Sequence, residues 1–132
     1  MEQLSARLEA ASRDLYFLSE SDFPFETVAF EAGKLKKLTP ADLKKALELP
    51  EETKVEKQDL PYFFRNQTRD LPGANQEDKA TAERFRELQQ ILSQELENVT
   101  VFRVGEVQVE AYILGKTPEG TIAGLKTTLI ET

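Results

Sequence analysis

Leu4, Leu8, Ala11, Leu15 and Leu18 recur at alternating spacings of four and three, so the start of the chain predicts an amphipathic helix ending near Ser19. Ser19-Glu20-Ser21-Asp22 then supplies side chains that bond their own backbone, and Pro24 stops helical continuation, which predicts a short exposed connection. Phe25 to Glu31 is rich in aromatic and β-branched residues, is bounded by Pro24 and Gly33, and reads as a strand. Thr39-Pro40-Ala41-Asp42 is a helix start, with Thr as N-cap, Pro at the first helical position and Asp in the first turn. That helix is expected to run to about Leu49 and stop before Pro50.

Further along, Lys54 to Lys57 reads as a short strand, Leu60 to Phe64 as a helical turn carrying an aromatic anchor, and Arg65 to Asn75, with Pro72-Gly73, as a surface loop. Gln76 to Glu97 contains neither Gly nor Pro, and Ala82, Phe85, Leu88, Leu92 and Leu96 form a stripe at helical spacing. The last third changes to a period near two. Val99 to Val104, Val107 to Leu114 and Ile122 to Ile130, separated by Gly105-Glu106 and Thr117-Pro118-Glu119-Gly120, predict three consecutive antiparallel strands. Val107, Val109, Ala111 and Ile113 make one apolar face, yet Tyr112 and Leu114 on the other are apolar too, so both faces of the sheet are expected to be partly covered. The expected class is α+β: an α/β/α sandwich with a mostly antiparallel sheet of four or five strands between helices.

With 132 residues the chain fits one domain spanning 1–132, and 39% hydrophobic against 31% charged residues is a globular rather than a disordered balance. Absence of Cys excludes disulfides, thiolate nucleophiles and Cys-based zinc sites. Absence of His removes Ser-His-Asp triads and the commonest transition-metal ligand, so catalysis would rest on carboxylates, Lys or Tyr alone. No cofactor is expected. The net charge of −7, from 24 acids against 17 bases, repels phosphate backbones and attracts basic surfaces, which argues against direct nucleic acid binding; it also simply keeps a small domain soluble. The first eighteen residues, interrupted by charges, lack the basic and apolar regions of a secretory signal, and no run approaches membrane-spanning length, so the expectation is a cytoplasmic protein, monomeric when free, with no membrane partner.

Two stretches carry a resemblance. Residues 15–26, LYFLSESDFPFE, and the terminal FRVGEVQVEAYILGKTPEGTIAGLKTTLIET closely resemble the nuclease A inhibitor family of polypeptides that inhibit nonspecific DNA/RNA nucleases. The resemblance extends over essentially the whole chain and is weaker from Lys34 to Gln76. It implies an α/β/α sandwich without enzymatic activity, and a one-to-one complex with a sugar-nonspecific nuclease whose active site the inhibitor covers, in a host that keeps its own nuclease harmless before export. It also implies roles for residues: Thr132 reaching the catalytic magnesium of the nuclease, and Glu20 contacting the same region. Where the resemblance places a Trp in the loop before the long helix, this chain has Gly73 in Leu71-Pro72-Gly73, a departure that bears on the same surface.

Physical chemistry supports those roles. An α-carboxylate of Thr132, with a pKa of roughly 3.3–3.7, is ionised at neutral pH and offers hard oxygens suited to magnesium in imitation of phosphate. Most chain ends are frayed. Here the strand from Ile122 to Ile130 runs almost to Glu131-Thr132, which reduces the ordering entropy lost on binding. Glu20 can pair with an Arg that otherwise holds a scissile phosphate, a contact worth on the order of 1.5–3 kcal/mol when desolvated. Its ordinary alternative is an exposed turn acid, and Ser19, Ser21 and Asp22 more simply shape the turn. The runs Lys34-Leu35-Lys36-Lys37 and Lys44-Lys45 read as a solvated loop and helix face, and Glu106 and Glu110 as outward strand charges.

Two further classes stay open at this point. A protein-interaction domain on the same scaffold with a non-nuclease partner is favoured by the missing loop Trp. A carboxylate-based hydrolase is disfavoured by the missing His and by the lack of any catalytic spacing.

Overall fold

The computed structural model describes residues 2–13, 24–31, 33–35, 37–65, 68, 73 and 75–130. In chain order these form α1 (Glu2–Ser12), β1 (Glu26–Ala29), α2 (Pro40–Ala46), β2 (Val55–Asp59), α3 (Leu60–Phe63), α4 (Gln76–Glu95), β3 (Glu97–Val104), β4 (Gln108–Lys116) and β5 (Ile122–Ile130). The strands make a five-stranded sheet in the order β1-β5-β4-β3-β2, and each neighbouring pair is antiparallel. The α+β sandwich expected from the hydrophobic pattern is the fold.

Period-two alternation places two separate cores on the two faces of this sheet. On one face Val101, Val109, Ala111, Ile113, Leu125 and Leu129 meet Leu8 of α1, Phe63 and Phe64, and the α4 stripe Phe85, Leu88, Leu92 and Leu96. Phe25, Phe63, Phe64 and Phe85 form an aromatic cluster there, with neighbouring ring centroids 5.2–6.3 Å apart. On the other face Phe102, Val104, Tyr112, Leu114 and Ile122 meet Leu35, Leu43 and Ala46. The sheet is therefore covered on one side by α1, α3 and α4, and on the other by α2 and the segment before it. Antiparallel packing of α1 on α4 follows from an ion pair of Arg7 with Glu95 and from Arg84, whose Nη2 donates to the carbonyls of Ala11 (3.4 Å) and Arg13 (2.6 Å).

Local signals acted as expected at α2: the Asp42 amide donates to Thr39 Oγ1 at 3.2 Å, with Pro40 opening the helix. The helix nevertheless ends at Ala46 rather than near Leu49. Glu48 adopts φ 55°, and the amides of Glu48 and Leu49 turn back to the carbonyls of Lys45 and Lys44, a Schellman closure that uses Glu where Gly is commoner. β3 starts two residues earlier than expected, at Glu97, because Asn98 at φ 55° sits in a register irregularity between Glu97 and Thr100 that absorbs the sharp exit from α4. Val107, expected within a strand, lies in the bend before β4 and is exposed. For the opening helix, the described part is Glu2–Ser12, with Arg13 in a turn; Leu15 and Leu18 lie outside the described residues.

Candidate functional site

Of the residues singled out in the sequence, Ser19, Glu20, Ser21, Asp22, Leu71, Glu131 and Thr132 lie outside the described residues. Gly73 is described: it is exposed, at φ +79°, with nothing within 4 Å of where a side chain would begin. A Trp, like any side chain, would strain the backbone at this position.

The flanking residues define where these segments attach. Pro24, which follows the Ser19–Asp22 stretch, is tied to β5: buried Thr127 donates through Oγ1 to the Pro24 carbonyl at 3.1 Å. Thr127 is three positions before Ile130, the last residue of β5, which pairs with Gln108 at the start of β4. The end of α1 is held by Arg84, next in sequence to Phe85, and Phe85 packs on Phe25 with ring centroids 6.3 Å apart. α4 leads into β3 at Glu97, opposite Lys116 at the other end of the sheet, so its first turns, and Asn75 before them, lie on the Phe25 side. The described ends of α1, β5 and α4, together with Pro24, thus lie toward one end of the sheet. The opposite end carries the Thr117–Thr121 turn, closed by hydrogen bonds between its own backbone and hydroxyl groups; bonds from its own amide and from the Thr117 hydroxyl hold the Glu119 carboxyl below its usual range.

On the face opposite α4, strands β1, β5 and β4 carry a row of polar residues. Register places Glu26 of β1 beside Lys126 of β5, and Lys126 beside Tyr112 of β4. Lys126 Nζ lies 5.8 Å from the centre of the Tyr112 ring, which is itself buried. Burial pushes the Tyr112 phenol above its usual range, followed by the charge of Glu110, a hydrogen bond with Glu110 and the charge of Glu26. The phenol therefore stays protonated and donates, and the carboxylates of Glu110 and Glu26 stand around it.

Sequence reasoning missed this arrangement. Each member is an unremarkable alternating strand residue, and only the register of β1 on β5 and β5 on β4 brings them together; no local signal fixes that register. Glu110 is thus a partner of Tyr112, and Glu106 is in the bend before β4, where the Gly105-Glu106 connection was expected. In the basic run, Lys34 and Lys37 are exposed but Leu35 is buried in the second core, so the stretch anchors rather than floats. Lys44 Nζ donates to the Glu51 carbonyl at 2.9 Å, and Lys45 is exposed. Among the described residues no group of three or more Asp or Glu is arranged to hold a metal ion, and no helix is long and apolar enough to cross a membrane.

A family model described as nuclease A inhibitor-like protein matches residues 2–132. The chain belongs to the nuclease A inhibitor-like family. The match spans both cores and all five strands, together with the segments that leave the sheet at the Pro24 and Ile130 end. No curated protein matches the chain. Membership in this family is membership among inhibitor-like proteins rather than enzymes, and it agrees with the resemblance carried by residues 15–26 and by the terminal strands.

Proposed function

We propose that this protein inhibits a sugar-nonspecific, metal-dependent nuclease in a one-to-one complex, by inserting an acidic tip made of Glu131-Thr132 and the turn carrying Glu20 into the nuclease active site. The observation that carries this reading is the family match over residues 2–132. The attachment points support it. Pro24 is bonded to Thr127, and β5 continues from Thr127 to Ile130, so the segment bearing Glu20 and the segment bearing Thr132 depart from neighbouring points on one rigid sheet. A tip anchored in this way loses little conformational entropy on insertion.

In this mechanism the Thr132 α-carboxylate supplies hard oxygens to the magnesium of the nuclease, occupying the position of a phosphate oxygen. Glu20 pairs with a basic side chain that otherwise holds the phosphodiester, and Ser19, Ser21 and Asp22 shape its turn. Leu71 and Gly73, ahead of α4 in the chain, are further residues assigned to contact with the nuclease. Deleting Thr132, and separately replacing Glu20→Ala, weakens inhibition at least tenfold on the charge-assisted hydrogen-bond scale of about 1.5–3 kcal/mol, with thermal unfolding unchanged. Inhibition at the wild-type level in both variants would remove the mechanism. Recovery of a non-nuclease protein, and no nuclease, from native extract would instead favour an interaction domain on the same scaffold.

A further inference from the structure

β2 is an edge of the sheet: it pairs with β3 alone, and among the described residues no strand lies along its outer side. The Gly105 amide donates to the Lys54 carbonyl at 2.9 Å, and these two residues stand opposite each other in the register of β2 on β3. Antiparallel ladders alternate, so Glu56 and Gln58 also turn their backbone groups to β3, while Val55 and Lys57 turn theirs outward, as does the Asp59 amide. An open hollow of about 410 Å³ lined by Glu56, Lys57, Gln58, Asp59 and Tyr62 lies along this edge. Outward amides and carbonyls of this kind are a template for another strand, and the side chains decide which strand.

Lys57 and Asp59 are exposed and share one face of the sheet, where their cross-strand neighbours on β3 are the uncharged Phe102 and Thr100. Neither has an ion-pair partner among the described residues, and the Asp59 side chain makes no capping bond to α3. Glu56 is on the other face, where the register sets it opposite Arg103. Two copies of β2 can join their outward backbone groups antiparallel about a two-fold axis at Glu56, Lys57 or Gln58. An axis at Glu56 sets glutamate against glutamate, and one at Lys57 sets lysine against lysine. The axis at Gln58 alone sets Lys57 of each copy opposite Asp59 of the other, with the Asp59 amide donating to the Lys57 carbonyl. That axis also brings together two amides. Gln58 Nε2 donates to Glu56 Oε1 at 3.3 Å, and Gln58 Oε1 is buried with no hydrogen-bond partner; across the axis the second Gln58 has a spare N–H to offer it.

We infer that β2 is the contact through which two copies of this chain pair, antiparallel about Gln58, joining their sheets edge to edge. The pairing does not depend on the function proposed above. β3 and β4 separate β2 from β5, which leaves the Pro24 and Ile130 end of each copy uncovered. The net charge of −7 on each chain opposes association and the paired segment is short, so the monomer prevails when the chain is dilute.

The test is analytical ultracentrifugation of the full chain over a concentration series reaching the millimolar range, with thermal unfolding measured for every variant. The wild-type chain shows a reversible monomer–dimer equilibrium. Lys57→Asp and Asp59→Lys each weaken it about tenfold or more, because both symmetry-related contacts turn from attraction to repulsion, and unfolding is unchanged because both side chains are exposed. Mixing the Lys57→Asp chain with the Asp59→Lys chain restores pairing, since each contact then joins opposite charges, and the double exchange Lys57→Asp/Asp59→Lys restores it within one chain. A wild-type chain that stays monomeric throughout would overturn the inference. So would a dimer that both single variants keep at wild-type strength, or single variants that fail to pair when mixed.

Discussion

Replacing Thr127→Val isolates the link between the fold and the proposed tip. The Thr127 hydroxyl is buried and donates to the Pro24 carbonyl, so valine keeps the β-branched shape and the packing while deleting the bond. Pro24 is an exposed residue and the bond is only partly buried, so the loss stays near the ordinary hydrogen-bond value of about 1 kcal/mol. For a chain of this size that corresponds to a fall in Tm of about 3–5 °C. Inhibition falls further than stability does. Releasing Pro24 returns backbone freedom to the segment that carries Glu20, and at about 1–2 kcal/mol per residue re-ordered on binding the inhibition constant rises roughly five- to thirtyfold. The control is Thr117→Val, which removes the bonds of the Thr117 hydroxyl to the Thr121 hydroxyl and amide and to the Glu119 carboxyl at the opposite end of the sheet. Both variants are compared by differential scanning calorimetry and by titration of nuclease activity. A loss in Tm from both variants, at least as large in Thr117→Val, with weakened inhibition only in Thr127→Val is expected. Equal inhibition by the two variants would refute the idea that the Pro24 anchor orders the tip.

Two other predictions concern the sheet. Gly124→Ala destabilises the protein by about 3 kcal/mol or more, read as a lower urea midpoint, because its Cβ would fall 1.8 Å from the Ile113 carbonyl oxygen and force β5 away from β4. A midpoint equal to wild type would contradict the close approach. Tyr112, whose folded-state pKa is raised, contributes stability that is fully present below the ordinary tyrosine value near 10 and is lost as pH rises through the higher folded value. Tyr112→Phe therefore flattens the alkaline limb of the stability profile, and an unchanged fall in Tm across that limb would show that another group controls it.

Much of the architecture was readable from local rules. The Phe85, Leu88, Leu92 and Leu96 stripe, the Thr39-Pro40 start and the alternation from Val99 to Ile130 each had one physical solution, a buried helix face, a capped helix and a meander covered on both sides. The errors arose where a backbone conformation rather than a side-chain pattern decided. Glu48 and Asn98 take positive φ without being glycine, moving the end of α2 and the start of β3. Gly105 needs a bend that runs through Val107 instead of releasing it into β4. Among candidate contacts, Glu20 and Thr132 came from resemblance and charge and lie outside the described residues, whereas the Glu26, Lys126, Tyr112 and Glu110 arrangement depends on strand register, which the sequence does not state locally.

The central claim is met most directly by titrating a sugar-nonspecific magnesium nuclease, held well above the dissociation constant, with the purified chain and following cleavage of DNA. The account predicts a linear fall in activity that reaches its floor at one inhibitor per enzyme. Full activity at a tenfold molar excess of the chain would contradict it.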